Sequence, residues 1–279
     1  MNEPIDYEKE YNARLSIPDH VEIAERWTKI AAAYRDTADC ELDIAYGQTE
    51  RTKFDFFRGL DDDKGAPVVI YIHGGYWRSR DRKDFSHVAA GLNARGISVA
   101  IPSYDLCPDV GIGDILGEMQ FFLLNLWEMT QRRMVISGHS AGGHLAASLF
   151  ATDWSDVEGM PEDVVHAACA ISGLYDLRPL CKTSVNEDLG LTPEKAELVS
   201  PLIHAVPRPG STFIAAVGAL ESGEFKRQSQ EIADSWGKAG VETEYVEVAD
   251  ANHLTVVDAL TERNSSLTDR IASLAEAAA

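Results

Sequence analysis

From Val68 onward, short apolar and β-branched runs alternate with longer amphipathic stretches. That alternation predicts an α/β chain with a mostly parallel central sheet and helices on both faces. The strand candidates are Val68–His73, Ile97–Pro102, Met134–Gly138, Ala167–Ser172, Thr212–Val217 and Glu244–Val248. Several are apolar throughout, as strands covered on both faces should be. Helical patterns fall near 84–94, 112–129, 141–151, 225–239 and 255–276. Ahead of them, residues 20–36 read as an amphipathic helix within a helical N-terminal extension, 1–40. Leu42–Tyr46 and Thr52–Phe57 then read as an antiparallel N-terminal hairpin. Asp61-Asp62-Asp63-Lys64-Gly65 reads as a turn. The stretch 174–210 has weak periodicity and several prolines, and is expected to supply small cap elements over the site. One domain, 1–279, is the economical reading.

Composition narrows the partners. The chain has 279 residues, 45% of them hydrophobic, enough for a large core. With 45 acidic against 25 basic residues the net charge is −20, which disfavours nucleic acid, since such binding rests on clustered Lys and Arg. Cys40, Cys107, Cys169 and Cys181 are widely spaced and fit no metal pattern. The N-terminus lacks an apolar signal and no stretch is long enough to span a bilayer, so a cytoplasmic protein with reduced thiols is expected, with no membrane partner. A homodimer is left open.

The chemistry concentrates at Gly138-His139-Ser140-Ala141-Gly142, which closes one apolar run and opens a helical one. Glycines flanking a serine at a strand-to-helix junction allow a sharp turn that exposes the hydroxyl and aims a helix N-terminus at it. Ser140 is therefore the candidate nucleophile for attack on a carbonyl, and it needs a base. Of the histidines beyond it, His144 lies on the same helix, His166 precedes a strand and His204 sits in the proline-rich stretch. His253 follows the last strand candidate, at the sheet edge where Ser140 is expected, and is the candidate base. The orienting acid belongs in the loop after the preceding strand, where Glu221 is favoured and Glu224 and Asp250 are alternatives. His73-Gly74-Gly75-Tyr76-Trp77 follows the first central strand, and Gly74 and Gly75 are candidate oxyanion donors with the amide of Ala141. His73 is expected to brace that loop. Tyr76 and Trp77 are candidate walls for a flat substrate or core residues, with Tyr104 and Tyr175 as further wall candidates.

These motifs, together with Ser172-Gly173-Leu174-Tyr175-Asp176-Leu177, Leu191-Thr192-Pro193-Glu194 and the run from Glu221 to Ser229, resemble the arylformamidase (kynurenine formamidase) branch of the α/β-hydrolases, near the hormone-sensitive-lipase-like esterases. The resemblance covers nearly the whole chain. It implies an α/β-hydrolase fold and a serine hydrolase without cofactor or metal that removes formate from N-formyl-L-kynurenine, a small-molecule substrate. Its triad maps onto Ser140, Glu221 and His253, although the family commonly carries aspartate at the acid position. A broad carboxylesterase for short-chain esters is the alternative activity.

Overall fold

The computed structural model describes residues 4–60 and 67–277, so the turn expected at 61–65 lies outside the described residues. Eight strands form one sheet: β1 (Cys40–Ala45), β2 (Lys53–Phe57), β3 (Val68–Ile72), β4 (Val99–Pro102), β5 (Met134–His139), β6 (Val165–Ile171), β7 (Thr212–Gly218) and β8 (Glu242–Val248). Their spatial order is β1-β2-β4-β3-β5-β6-β7-β8. β1 pairs antiparallel with β2, and β2 antiparallel with β4, whereas all pairs from β4 to β8 are parallel. This is the α/β architecture that the periodicity predicts and the α/β-hydrolase fold that the resemblance implies.

The two-residue period of the strands divides the core between the sheet faces. In β3, Val68, Ile70 and Ile72 join one apolar cluster, while Val69 and Tyr71 join the other. β3, β4 and β5 are buried at every position, whereas the edge strand β8 alternates in exposure. Long helices at His20–Thr37, Ile112–Thr130, Ala141–Phe150 and Gly223–Lys238 flank the sheet, close to their predicted bounds. Among the described residues no helix is long and apolar enough to cross a membrane.

Elsewhere the local pattern misleads. The helix expected over 84–94 is two 3-10 turns, Arg82–Asp84 and Ser86–Ala89, with a short α-turn, Ala90–Asn93. Phe85 breaks the run at φ −123° and packs its ring on Trp27, Tyr71 and His73. The helix expected over 255–276 is a 3-10 segment, Thr255–Thr261, and a separate helix, Ser266–Ala277. A fresh cap divides them, because Ser265 Oγ accepts a hydrogen bond from the amide of Thr268 at 3.1 Å. His166 lies inside β6 rather than ahead of it, since that strand begins at Val165.

The helix Ala141–Phe150 sits unusually close to the sheet. A Cβ built on Gly142 would lie 2.0 Å from the carbonyl oxygen of Ile72 and 2.7 Å from that of His73. Neither backbone can retreat without moving β3 or the helix start. Gly142→Ala is expected to cost about 3 kcal/mol of stability and to lower the Tm by roughly 10 °C. Scanning calorimetry would read this directly; an unchanged Tm would mean that helix and strand separate there at no cost.

Candidate active site

Four loops meet at the carboxyl ends of the parallel strands, where such sheets present their ligands. Ser140 follows β5, Glu221 follows β7, His253 follows β8, and the glycine pair follows β3. Ser140 sits at φ 57° and ψ −116°, a conformation that side-chain-bearing residues rarely adopt. It projects the hydroxyl above the sheet at the start of the helix Ala141–Phe150. The surrounding core over-determines this turn and so maintains its strain.

His253 Nε2 lies 3.1 Å from Ser140 Oγ, and its Nδ1 lies 2.6 Å from Glu221 Oε2. Ser140 and His253 are buried, and the Glu221 side chain is 0% exposed. The other carboxylate oxygen of Glu221 accepts from Ser172 Oγ at 2.5 Å and from the amide of Gly218 at 2.6 Å. With two donors on one oxygen, the second oxygen faces the imidazole, which fixes Nδ1 as the protonated nitrogen and leaves Nε2 as the acceptor for the serine proton. The acid and base loops are also tied through their backbones, the amide of Leu220 donating to the carbonyl of Ala251 at 3.0 Å.

Two supporting side chains were not singled out from the sequence for these roles. Ser172 directly follows β6, the strand between those that precede Ser140 and Glu221, and a polar residue at that strand end is the signal that points to it. His139 Nε2 donates to the carbonyl of His253 at 2.7 Å, and the two rings lie 4.8 Å apart. Burial, and next the neighbouring His253, hold the His139 pKa well below the usual imidazole value. His139 is thus neutral, a donor that anchors the loop without competing charge.

The alternative acids do not reach His253 in this way. Glu224 accepts from Tyr11 Oη at 2.7 Å and from Arg227 Nη2 at 2.8 Å. The Arg227 hydrogen bond, despite opposing burial, lowers the pKa of its carboxyl. Asp250 is an exposed turn residue at φ 57°. Among the remaining histidines, His144 Nε2 donates to the carbonyl of Val199 at 2.6 Å and burial pushes its pKa down to about 4. His73 is stacked between Phe85 and Tyr104, and its Nδ1 meets the carbonyl of Gly74 at 2.7 Å.

The glycine loop bends sharply, with positive φ at Gly75 (117°), Tyr76 (53°) and Trp77 (54°). A Cβ on Gly75 would lie 2.3 Å from the carbonyl of Ser79, so only glycine fits. Gly74 lies against Ser140: a Cβ there would lie 3.1 Å from Ser140 Cβ. Among the described residues the amides of Gly74, Gly75 and Ala141 have no protein acceptor, which leaves them available to an oxyanion.

A cleft opens over Ser140, lined by Gly74, Gly75, Tyr76, His139 and His253 together with Trp27, Phe85 and Leu254. Three of the expected walls are absent from it. Trp77, Tyr104 and Tyr175 are fully buried in the core. Trp77 meets the His144 ring edge-on at 5.0 Å, Tyr104 stacks on His73 and donates to its carbonyl at 2.9 Å, and Tyr175 packs on Phe213. Their residue type suits either place; only the side-chain direction distinguishes core from wall. Tyr76 does line the cleft, its hydroxyl donating to the carbonyl of Tyr11. The cap expected from 174–210 is likewise corrected. That segment places Leu174, Leu177, Leu180 and Leu189 in the core and gives the cleft only Val185. The N-terminal segment contributes more of the lining, with Asn12, Ala13, Arg14 and His20.

The BD-FAE family model matches residues 54–205, more than half of the chain, from β2 into the proline-rich segment. The chain belongs to the BD-FAE family. It is an enzyme of the arylformamidase-like branch of the α/β-hydrolases. It is 28% identical to a kynurenine formamidase of Danio rerio, with 92% of this chain and 90% of that protein covered. It is 30% identical to a kynurenine formamidase of Drosophila melanogaster, covering 77% and 75% respectively. Among solved structures, a putative thioesterase from Silicibacter sp. superposes with a TM-score of 0.86 at 28% identity, covering 96% of this chain and all of that one. An esterase from Pyrobaculum calidifontis shares the fold at a TM-score of 0.71 and 17% identity, covering 92% and 93%.

Proposed function

We propose that this BD-FAE member is a serine hydrolase that removes the formyl group from N-formylkynurenine or a similar aryl formamide through a formyl-enzyme intermediate. The observation that carries the reading is the chain of contacts from Glu221 through His253 to Ser140, at 2.6 and 3.1 Å, beneath three unpaired backbone amides. The kinship with kynurenine formamidases over most of the chain supports the choice of acyl group.

In this mechanism Ser140 Oγ attacks the formyl carbon while its proton passes to His253 Nε2. The carbonyl oxygen becomes an anion held by the amides of Gly74, Gly75 and Ala141. The carbon–nitrogen bond then breaks, and protonated His253 returns the proton to the departing aryl amine. Water attacks the formyl ester with His253 again as base, releasing formate and restoring Ser140. An aryl amine leaves far less readily than a phenolate unless it is protonated, so amide cleavage relies on the imidazole geometry that Glu221 and His139 maintain.

Comparison of kcat/KM for N-formylkynurenine with that for p-nitrophenyl acetate tests the acyl and leaving-group preference. A formamidase is expected to favour the formamide by about 100-fold, as differential transition-state binding of this kind permits. Preference for the activated ester would make the protein a carboxylesterase built on the same machinery.

A further inference from the structure

The cleft wall opposes the charge of the rest of the chain. The protein carries 45 acidic and 25 basic residues, yet Arg14, Arg78 and Arg80 line the cleft and no aspartate or glutamate does. Arg78 is ion-paired with Asp188. The guanidinium groups of Arg14 and Arg80 have neither an ion-pair nor a hydrogen-bond partner among the described residues. Arg14 is exposed at the rim, whereas Arg80 is half-buried. Withdrawing a cation partly from water without a counter-ion is costly, and an acidic chain offers many carboxylates that could have supplied one.

Arg80 is also held in place. Its backbone sits at φ 79°, and its carbonyl accepts from Arg51 Nη2 at 2.5 Å. Its stem runs beside the oxyanion loop, since a Cβ on Gly75 would lie 3.0 Å from Arg80 Cγ. The loop that orients the reacting carbonyl thus also fixes the origin of an unpaired guanidinium. Trp27, Phe85 and Leu254 supply apolar surface in the same cleft.

We infer that Arg80, with Arg14 at the rim, forms a carboxylate-binding subsite, and that the enzyme acts on an aryl formamide or ester bearing a carboxylate in preference to a neutral one. This rests on Ser140 being the nucleophile of the proposed hydrolase. Arginine suits the task because its planar fork can hold a carboxylate through two parallel hydrogen bonds.

The test compares 2-formamidobenzoate with formanilide, and p-nitrophenyl hydrogen glutarate with p-nitrophenyl butyrate. The carboxylate member of each pair is expected to have a kcat/KM higher by about tenfold or more, the value of one charge-assisted contact. Arg80→Gly should collapse that ratio mainly through KM, and Arg80→Lys should recover part of it. Glycine tolerates φ 79° better than arginine does, so the variant is expected to fold, and its Tm verifies this. Benzoate and benzamide titrated into the Ser140→Ala protein, read by the fluorescence of Trp27 in the cleft wall, test binding without turnover. Benzoate should bind more tightly, and Arg80→Gly should remove the difference. Equal kcat/KM within both pairs, or a ratio that survives in folded Arg80→Gly, overturns the subsite. If neither formamide is cleaved while the glutarate ester is preferred in an Arg80-dependent way, the formamidase reading falls and the subsite stands.

Discussion

Replacing Ser140 with alanine is expected to lower kcat by about a million-fold, as loss of a nucleophile does in enzymes of this chemistry. The size of the effect follows from the geometry. Among the described residues the hydroxyl has one side-chain partner, His253 Nε2 at 3.1 Å, so its removal leaves the base with nothing to activate. The unpaired amides of Gly74, Gly75 and Ala141 would still stabilise an oxyanion formed by direct attack of water, which sets a residual rate of about 1000-fold over the uncatalysed reaction. The fold should be indifferent. Alanine at φ 57° is no more strained than serine, and the buried hydroxyl braces no other element. Steady-state assays and calorimetry on the same preparation would separate the two effects. A fluorophosphonate should label the wild-type protein once, at residue 140, and leave the variant unmodified. Turnover on the wild-type scale, or labelling at another residue, would remove Ser140 from the mechanism.

Glu221→Gln should cost about 10,000-fold in kcat, although it changes a single oxygen to an amide nitrogen. Ser172 Oγ and the amide of Gly218 both donate to Glu221 Oε1. The glutamine must therefore turn its carbonyl toward them and its NH2 toward His253 Nδ1. Facing a donor, Nδ1 becomes an acceptor and the proton moves to Nε2, the nitrogen that must be free to take the serine proton. The wrong tautomer, rather than lost charge alone, stops the reaction. Glu224→Gln provides the contrast. Its carboxylate is bound by Tyr11 and Arg227, so the expected loss is about 1–2 kcal/mol of stability with the rate nearly retained. Measured kcat values in the opposite order would move the acid from position 221 to position 224.

These expectations draw unequally on sequence and structure. The turn at Ser140 is legible in five residues, because a glycine on either side of a serine between an apolar strand and a helix encodes a local backbone path. The strands β3 to β7 are legible for a similar reason, as short, largely apolar runs that sheet neighbours cover on both faces have few other places to go. His253 could be picked from its place after the last strand. Position favoured Glu221 without eliminating Glu224 and Asp250, since all three lie in loops or helix starts near the same edge. The aromatic walls were less legible still. Tyr76, Trp77, Tyr104 and Tyr175 are chemically equivalent candidates, and only the first faces the cleft.

By itself, then, the sequence specified the layered α/β architecture, the strand-to-helix turn at Ser140 and the glycine pair opposite it. All of these follow from residue periods and φ preferences that act over a few neighbours. The tertiary structure alone decided which carboxylate meets His253, that the N-terminal segment rather than 174–210 supplies much of the cleft lining, and which arginines lack an anion. Those outcomes depend on contacts between residues far apart in sequence, such as Ser172 with Glu221 and Tyr11 with Glu224. A side chain's partner across such a distance is set by how whole layers pack, and no local pattern records it.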